Sequence, residues 1–485
     1  MSTNLRTARA AARDSGNGYV DIDVERARSM TALADGPKPH PFLEGVHAPM
    51  TEELTLTTLD VVGTIPATLD GRYLRIGPNP ITPDPVGYHM FMGDGMVHGL
   101  ALKNGQALWY RNRWIRSTAV SEALNEAPAP GPRKGRSDTV NTNVVAIGGR
   151  TWALVEAGAN PVELTDTLET VAHNAFDGTL DGSFTAHPHR DHLTGEHHAI
   201  AYEGAVPNEV RYVVISAEGA VTRELSIPVE HGPAIHDCSF TQSQVLIYDL
   251  PVTLSPAAIR AAMAGGERFV YRWNPEHRAR VGLLPRAGGA DDIVWCDVEP
   301  CYIFHAANAY DLPDGRVVAH VVAYDDYFID SQPDPDATGR LERWTIDPAT
   351  CSVERIVVDA CSQEFPTTDE RRNGLANRYA FTMEVGPGGI ENYRGTRLYR
   401  HDLETGGKQA HDFGADRHPG EFVFTPRDVD AAEGDGWLMG LVVNRADETT
   451  DLAIIDTADF TGPPVAQIRI PHRVPAGFHG NWIAS

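Results

Sequence analysis

The sequence predicts an all-β fold, a seven-bladed β-propeller, and three observations carry that expectation. Short apolar runs alternate with turn residues along most of the chain, the pattern of strands joined by tight connections. There are 45 glycines and 34 prolines among 485 residues, and few stretches have helical periodicity. Several of the runs also share one shape: an apolar strand, a short polar turn and a second strand.

Taken in order, GLALKNGQALWY turns at Asn104–Gly105, a pair suited to a tight hairpin. VELTDTLETV turns at Asp166, RYVVISAEGAVTREL at Glu218–Gly219, and FVYRWNPEHRARVGLL at Asn274. RWTIDPATCSVERIVV turns at Asp347, RLYRHDLETGGKQAHDF at Asp402, and LAIIDTADFTGPPVAQIRI at Asp456. The turns recur about every 50 to 70 residues, a period that suits one hairpin per four-stranded blade. The units share little identity, so on pattern alone one or two irregular sandwiches are the alternative. Residues 119–140 are Pro- and Ala-rich and read as an insertion between strands. SPAAIRAAMAGGE, residues 255–267, starts with Ser at a capping position and continues in helix formers, so a short helix is expected there.

Composition excludes several classes of function. The net charge is −25, and no basic stretch offers to neutralise phosphates, so no nucleic-acid partner is expected. No apolar run reaches the roughly 18 residues of a membrane span. The N-terminus has basic residues but no apolar core behind them, unlike a secretory signal. Residues 1–38 are expected to be a flexible tail and residues 39–485 the propeller. Five cysteines, an odd number with no CxxC, suit a reducing cytoplasm and free thiols, buried or half-buried.

The 20 histidines separate by position. His189, His192, His197 and His198 crowd a polar stretch and read as solvated. His411, His418 and His472 read as surface residues. His187, His236, His305 and His479 each follow a hairpin turn by about 20 to 30 residues, near the start of the next blade. The first strand of a blade is normally the innermost, so these four would converge on the propeller axis. Convergent imidazoles suit a transition metal rather than Mg or Ca. Fe(II) ranks first, then Cu or Zn. Glu364 and Glu421 occupy the matching place in two other blades, and Glu156 is a third carboxylate among apolar residues. A metal-bound imidazole needs an acceptor for its other ring N–H, and a carboxylate serves. Separate structural salt bridges would explain the same glutamates.

At these residues the sequence resembles the carotenoid cleavage oxygenases, from about Pro41 to the C-terminus. The segments that carry the resemblance include LDGRYLRIGPNP, YHMFMGDGMVHGL, NTNVVAIGGRTWALVEAG, FTAHPHRDHLTGE, HDCSFT, IFHAANAY, QEFPTTDERRNG, GEFVFTPR and GFHGNW, in that order. The resemblance implies a helical dome over the top face of the propeller and one Fe(II) on its axis. It implies His187, His236, His305 and His479 as iron ligands, with Glu156, Glu364 and Glu421 behind them. Thr142 matches a residue beside the vacant iron position, and Asp94 and His98 match positions that read as structural. The implied reaction is cleavage of a conjugated C=C bond with O2 as co-substrate, giving two carbonyl products. The implied protein contribution is an open iron site and an apolar tunnel.

The implied substrate is a hydrophobic polyene, a carotenoid or apocarotenoid. The family also includes stilbene cleavers, whose phenol is held by a Tyr and a Lys near the YRNRWIR segment. No Lys occurs between Asn104 and Arg133 here, and Lys134 falls in a polar loop. A cytoplasmic enzyme is expected, with at most weak peripheral membrane contact through SPAAIRAAMAGGERFVYRW. A metal-free propeller acting as an interaction scaffold is the reading from a different class.

Overall fold

In the computed structural model, residues 40–134, 137–329 and 336–485 are described. The tail expected at residues 1–38 lies outside them. Among the described residues, seven sheets of four or five strands follow one another along the chain, with one further two-stranded sheet. These are the seven blades of a propeller, and Phe42–Ser485 forms one compact unit.

The second to seventh blades begin on strands Asn143–Ile147, His189–Arg190, Cys238–Phe240, Tyr302–Asp311, Gln363–Thr367 and Arg417–Pro426. In each blade this first strand sits at the inner edge of its sheet, where strand order follows sequence order. The first blade is built differently. Its inner edge is the C-terminal strand Gly480–Ala484, paired antiparallel with Gly71–Pro78 from Gly71↔Ala484 to Arg75↔Gly480. The outer edge of the seventh blade is an N-terminal strand, Asp60–Gly63, paired with Ala466–Ile470. Both ends of the unit therefore lock into a blade begun by the other end, so the ring closes by hydrogen bonds and not by packing alone.

Six of the seven expected hairpins form; the one at Asn274 does not. Tyr271–Trp273 pairs with Val252–Leu254 in the two-stranded sheet. Arg280–Pro285 pairs with Gln244–Asp249 and with Val294–Asp297. The turn chemistry at Asn274 is real: its side chain accepts from the Glu276 amide and donates to Thr253. The strand before it belongs to an insertion between the second and third strands of the fourth blade. A local turn signal cannot distinguish these cases.

Two helices longer than one turn lie in the described residues, both in insertions. Helix α1, Thr118–Leu124, opens the 119–140 segment and is capped by Ser117, whose hydroxyl accepts from the Val120 amide at 3.3 Å. Helix α2, Pro256–Met263, is the expected short helix, capped by Ser255 with Pro at its first turn. None of its residues is buried. No described helix is long and apolar enough to cross a membrane.

The blades pack face to face, and this corrects the reading of several histidines. His197 and His198 lie on a strand, His197–Tyr202, that is buried at every position. His198 takes its partners from Tyr212, at 2.7 Å, and Arg286, at 2.7 Å. His411 and His418 are also buried, each against a backbone carbonyl. His189 is half-buried and bonded to Asp237, whereas His192 is exposed as expected. A strand with a neighbouring blade on each face shows no inward–outward alternation, so polarity there does not mean solvent. The thiols need a smaller correction: Cys238, Cys296 and Cys301 are buried, but Cys351 and Cys361 are exposed.

Candidate metal centre

The inner strands and the residues leading into them bring His187, His236, His305 and His479 to one point. All four are buried, and one ring nitrogen from each lies within 4.8 Å of the others. His187 Nε2 is 3.0 Å from His236 Nε2. His236 Nε2 is 3.2 Å from His305 Nε2, which is 3.2 Å from His479 Nε2. The side chains therefore present four nitrogens to a common centre and to nothing else.

The opposite ring nitrogens are held by carboxylates. Glu156 Oε1 is 2.8 Å from His236 Nδ1, Glu364 Oε2 is 2.6 Å from His305 Nδ1, and Glu421 Oε1 is 2.9 Å from His479 Nδ1. Each glutamate is held in turn: Glu156 by the Tyr202 hydroxyl, Glu364 by the Phe365 amide and Glu421 by the Gly480 amide. Among the described residues no carboxylate pairs with His187. The carboxylates select the tautomer. With Nδ1–H donated outward, each Nε2 keeps its lone pair for the centre.

Burial dominates the protonation of the site. Burial, and then the neighbouring imidazoles, hold His187 and His305 well below the ordinary imidazole range, so both are neutral. Burial opposes charge on His236 too, but Glu156 outweighs it and moves that group upward. Burial pushes the Glu364 carboxyl well above its usual range. A divalent cation inverts this logic by supplying the charge that the buried glutamates face.

The spacing fits a metal as well. With bonds of about 2.1 Å, two nitrogens at right angles lie about 3.0 Å apart, and at the tetrahedral angle about 3.4 Å. The observed 3.0 and 3.2 Å fall within this range, so the four nitrogens are close enough to share one ion.

The surroundings differ by direction. Phe365 stacks against His305 at 5.1 Å and reaches His479 at 5.3 Å between ring centres. Phe304 meets His236 edge-on at 5.4 Å. Phe304 also leads into a wider aromatic cluster through Tyr302, Tyr327 and Phe328. A separate cavity of about 420 Å³ opens onto His187, His305 and His479 and includes Asp237, His189, Asp369, Glu370 and Arg371 in its wall. That cavity has a mixed polar and apolar wall, Phe365 included, whereas the tunnel implied for the substrate is apolar.

Thr142 is buried at the start of the second blade. Its carbonyl accepts the His479 amide at 3.1 Å, and its hydroxyl donates to Asn141 at 2.8 Å. Asp94 accepts the Ile81 amide at 3.1 Å. His98 sits beside the Tyr110 hydroxyl at 3.0 Å inside the first blade, away from the four-histidine cluster. Lys134 is engaged by Glu203 and by the Asp181 carbonyl. Sequence reasoning passed over Asp237 and Asn143. Asn143 donates to the Ala186 carbonyl, one residue before His187. The available signals were the place of Asp237 beside His236 and that of Asn143 beside Thr142.

A family model described as RPE65, retinal pigment epithelial membrane protein, matches residues 47–484. A carotenoid cleavage oxygenase of Mycobacterium tuberculosis is 42% identical over 499 residues, spanning 93% of this chain and 99% of the relative. The lignostilbene dioxygenase structure from Pseudomonas brassicacearum matches with a TM-score of 0.83 at 27% identity, covering 93% of this chain and 100% of that one. A Synechocystis apocarotenoid oxygenase structure matches with a TM-score of 0.80 at 25% identity, covering 92% and 98%.

Proposed function

This chain belongs to the RPE65 family of carotenoid oxygenases, and from that premise we propose that it is a non-heme Fe(II) dioxygenase. Its reaction is oxidative cleavage of one conjugated C=C bond in a carotenoid or apocarotenoid, with O2 as co-substrate and aldehyde or ketone products. The observation that carries the proposal is the convergence of four Nε2 atoms backed by three buried or half-buried glutamates.

The proposed ligands are His187, His236, His305 and His479, holding one Fe(II) per chain. Iron held there would supply the capacity to activate O2, which no side chain here can provide. The protein's own contribution is position and environment. Glu156, Glu364 and Glu421 hold three imidazoles in one tautomer and one orientation. Phe304 and Phe365 exclude water beside the histidines and offer an apolar surface to a polyene. Thr142 is proposed to border the vacant coordination position, since its carbonyl is tied to the ligand-bearing residue His479. The catalytic unit is proposed to span residues 39–485. In a cytoplasmic enzyme with a water-insoluble substrate, weak peripheral membrane contact is proposed through α2, where Ile259 and Met263 are exposed.

A second reading is cleavage of a stilbenoid, favoured by the likeness to the lignostilbene dioxygenase structure. Against it, Lys134 is already engaged by Glu203 and Asp181. The test is anaerobic Fe(II) reconstitution, then aerobic incubation with β-carotene, a β-apocarotenal and resveratrol, with products identified by mass. Aldehydes from either polyene support the proposal. Hydroxybenzaldehydes from resveratrol alone move the enzyme to the stilbenoid reading.

A further inference from the structure

One carboxylate beside the centre belongs to neither the ligand set nor the glutamates behind it. Asp237 directly follows His236 and is 4% exposed. Its Oδ1 lies 2.6 Å from His189 Nε2 and accepts from the Cys238 amide at 2.7 Å. Its Oδ2 accepts from the Ala306 amide at 2.9 Å. His189 lies two residues after His187 in the third blade, and Ala306 directly follows His305 in the fifth. One side chain at the start of the fourth blade therefore links the inner segments of the third, fourth and fifth blades, beside His187, His236 and His305.

His189, Asp237 and Cys238 are close enough to suggest a second metal site, but their chemistry argues otherwise. Both carboxylate oxygens already accept N–H donors. The arrangement is that of a brace. Hydrogen bonds within a blade fix that blade, whereas the separation of ligands on different blades depends on links between them. That separation is critical here: about 0.4 Å separates right-angle from tetrahedral nitrogen spacing at bonds of about 2.1 Å.

We propose that Asp237, held by His189, is a positioning residue that sets the relative placement of His187, His236 and His305 for the metal. The inference rests on the metal-centre reading above. Asp237→Asn keeps the size of the side chain but removes its charge and half its acceptor capacity. His189→Ala removes the side-chain donor, and His189→Gln restores an N–H.

The experiment measures Fe(II) affinity by chelator competition in the full-length chain, together with the visible spectrum of the Co(II)-loaded protein and the melting temperature. Asp237→Asn is expected to weaken Fe(II) binding about 10- to 100-fold, as outer-shell substitutions do, and to alter the Co(II) spectrum. His189→Ala is expected to do the same to a smaller degree, with partial recovery in His189→Gln. A lower melting temperature with wild-type affinity and spectrum would make Asp237 merely structural and overturn the inference. If Asp237→Asn does not fold, unchanged affinity and spectrum in His189→Ala overturn it equally. No iron uptake by the wild-type chain would overturn this inference together with the metal-centre reading, whereas uptake with unaffected variants overturns this inference alone.

Discussion

Glu364 Oε2 lies 2.6 Å from His305 Nδ1, and the glutamate side chain has no solvent exposure. A carboxylate buried to that degree is costly unless it is bonded and faces positive charge. It accepts from the Phe365 amide as well, yet burial still pushes its carboxyl well upward. The pair makes sense when His305 carries a cation on its other nitrogen.

Glu364→Ala should therefore weaken Fe(II) binding about 10- to 100-fold, read by chelator competition. Glu364→Gln keeps an acceptor for the imidazole N–H and should lose less. Equal affinity in wild type and Glu364→Ala would remove Glu364 from the support of the centre.

Stopping the chain after Phe478 removes His479 and the strand Gly480–Ala484 together. The first blade then loses its inner edge, so both iron uptake and thermal stability should fall. His479→Ala in the full-length chain separates the two effects. It should lose iron while keeping most of the melting temperature that the truncated chain loses. If the truncated chain melts like the wild type, the closing role of that strand is wrong.

Acid should destabilise the protein in a window set by its buried histidines. Burial lowers His47, His197, His320 and His401 to about 4, and His98 and His198 to about 3. Above pH 6.5 these groups are neutral in both the folded and unfolded chain. Below it the unfolded chain takes up protons that the folded chain refuses, so stability falls as pH drops from 6.5 towards 4. Melting temperatures across that window should decline steadily. A flat profile would mean that these imidazoles are not held neutral by the fold.

Phe365→Ala should test the aromatic wall. The ring stacks on His305 and contacts His479, and its residue is 2% exposed. Removing a buried Phe typically costs about 3–5 kcal/mol, so the denaturation midpoint should drop clearly. Water admitted beside the histidines should also lower turnover of a polyene more than it lowers iron content. An unchanged midpoint would show that the site collapses to fill the space.

Much of the propeller was legible because its hairpins repeat and their turns use residues with a definite backbone role, as at Asn104–Gly105. The hairpin at Asn274 misled because turn chemistry is local, while strand partners were decided by an insertion between residues 250 and 280. The convergence of His187, His236, His305 and His479 was legible from their place in the repeat. The burial of His197, His198 and His418 was not, because their strands are largely covered, and His411 is the one buried residue of an otherwise exposed strand, held against the Phe460 carbonyl. Asp237 was hidden for another reason. Two of its partners, His189 and Ala306, lie on strands distant in sequence, and only the folded ring brings them to it.

One Fe(II) per chain, held by four histidines, is the proposal on which the rest depends. The most direct test is iron content after anaerobic reconstitution and removal of loose metal, in the wild-type chain and in His187→Ala, His236→Ala, His305→Ala and His479→Ala. About one iron per wild-type chain is expected, with a marked loss in every variant and far-ultraviolet circular dichroism retained. A folded His236→Ala chain that keeps its full iron content and cleaves substrate at the wild-type rate would contradict it.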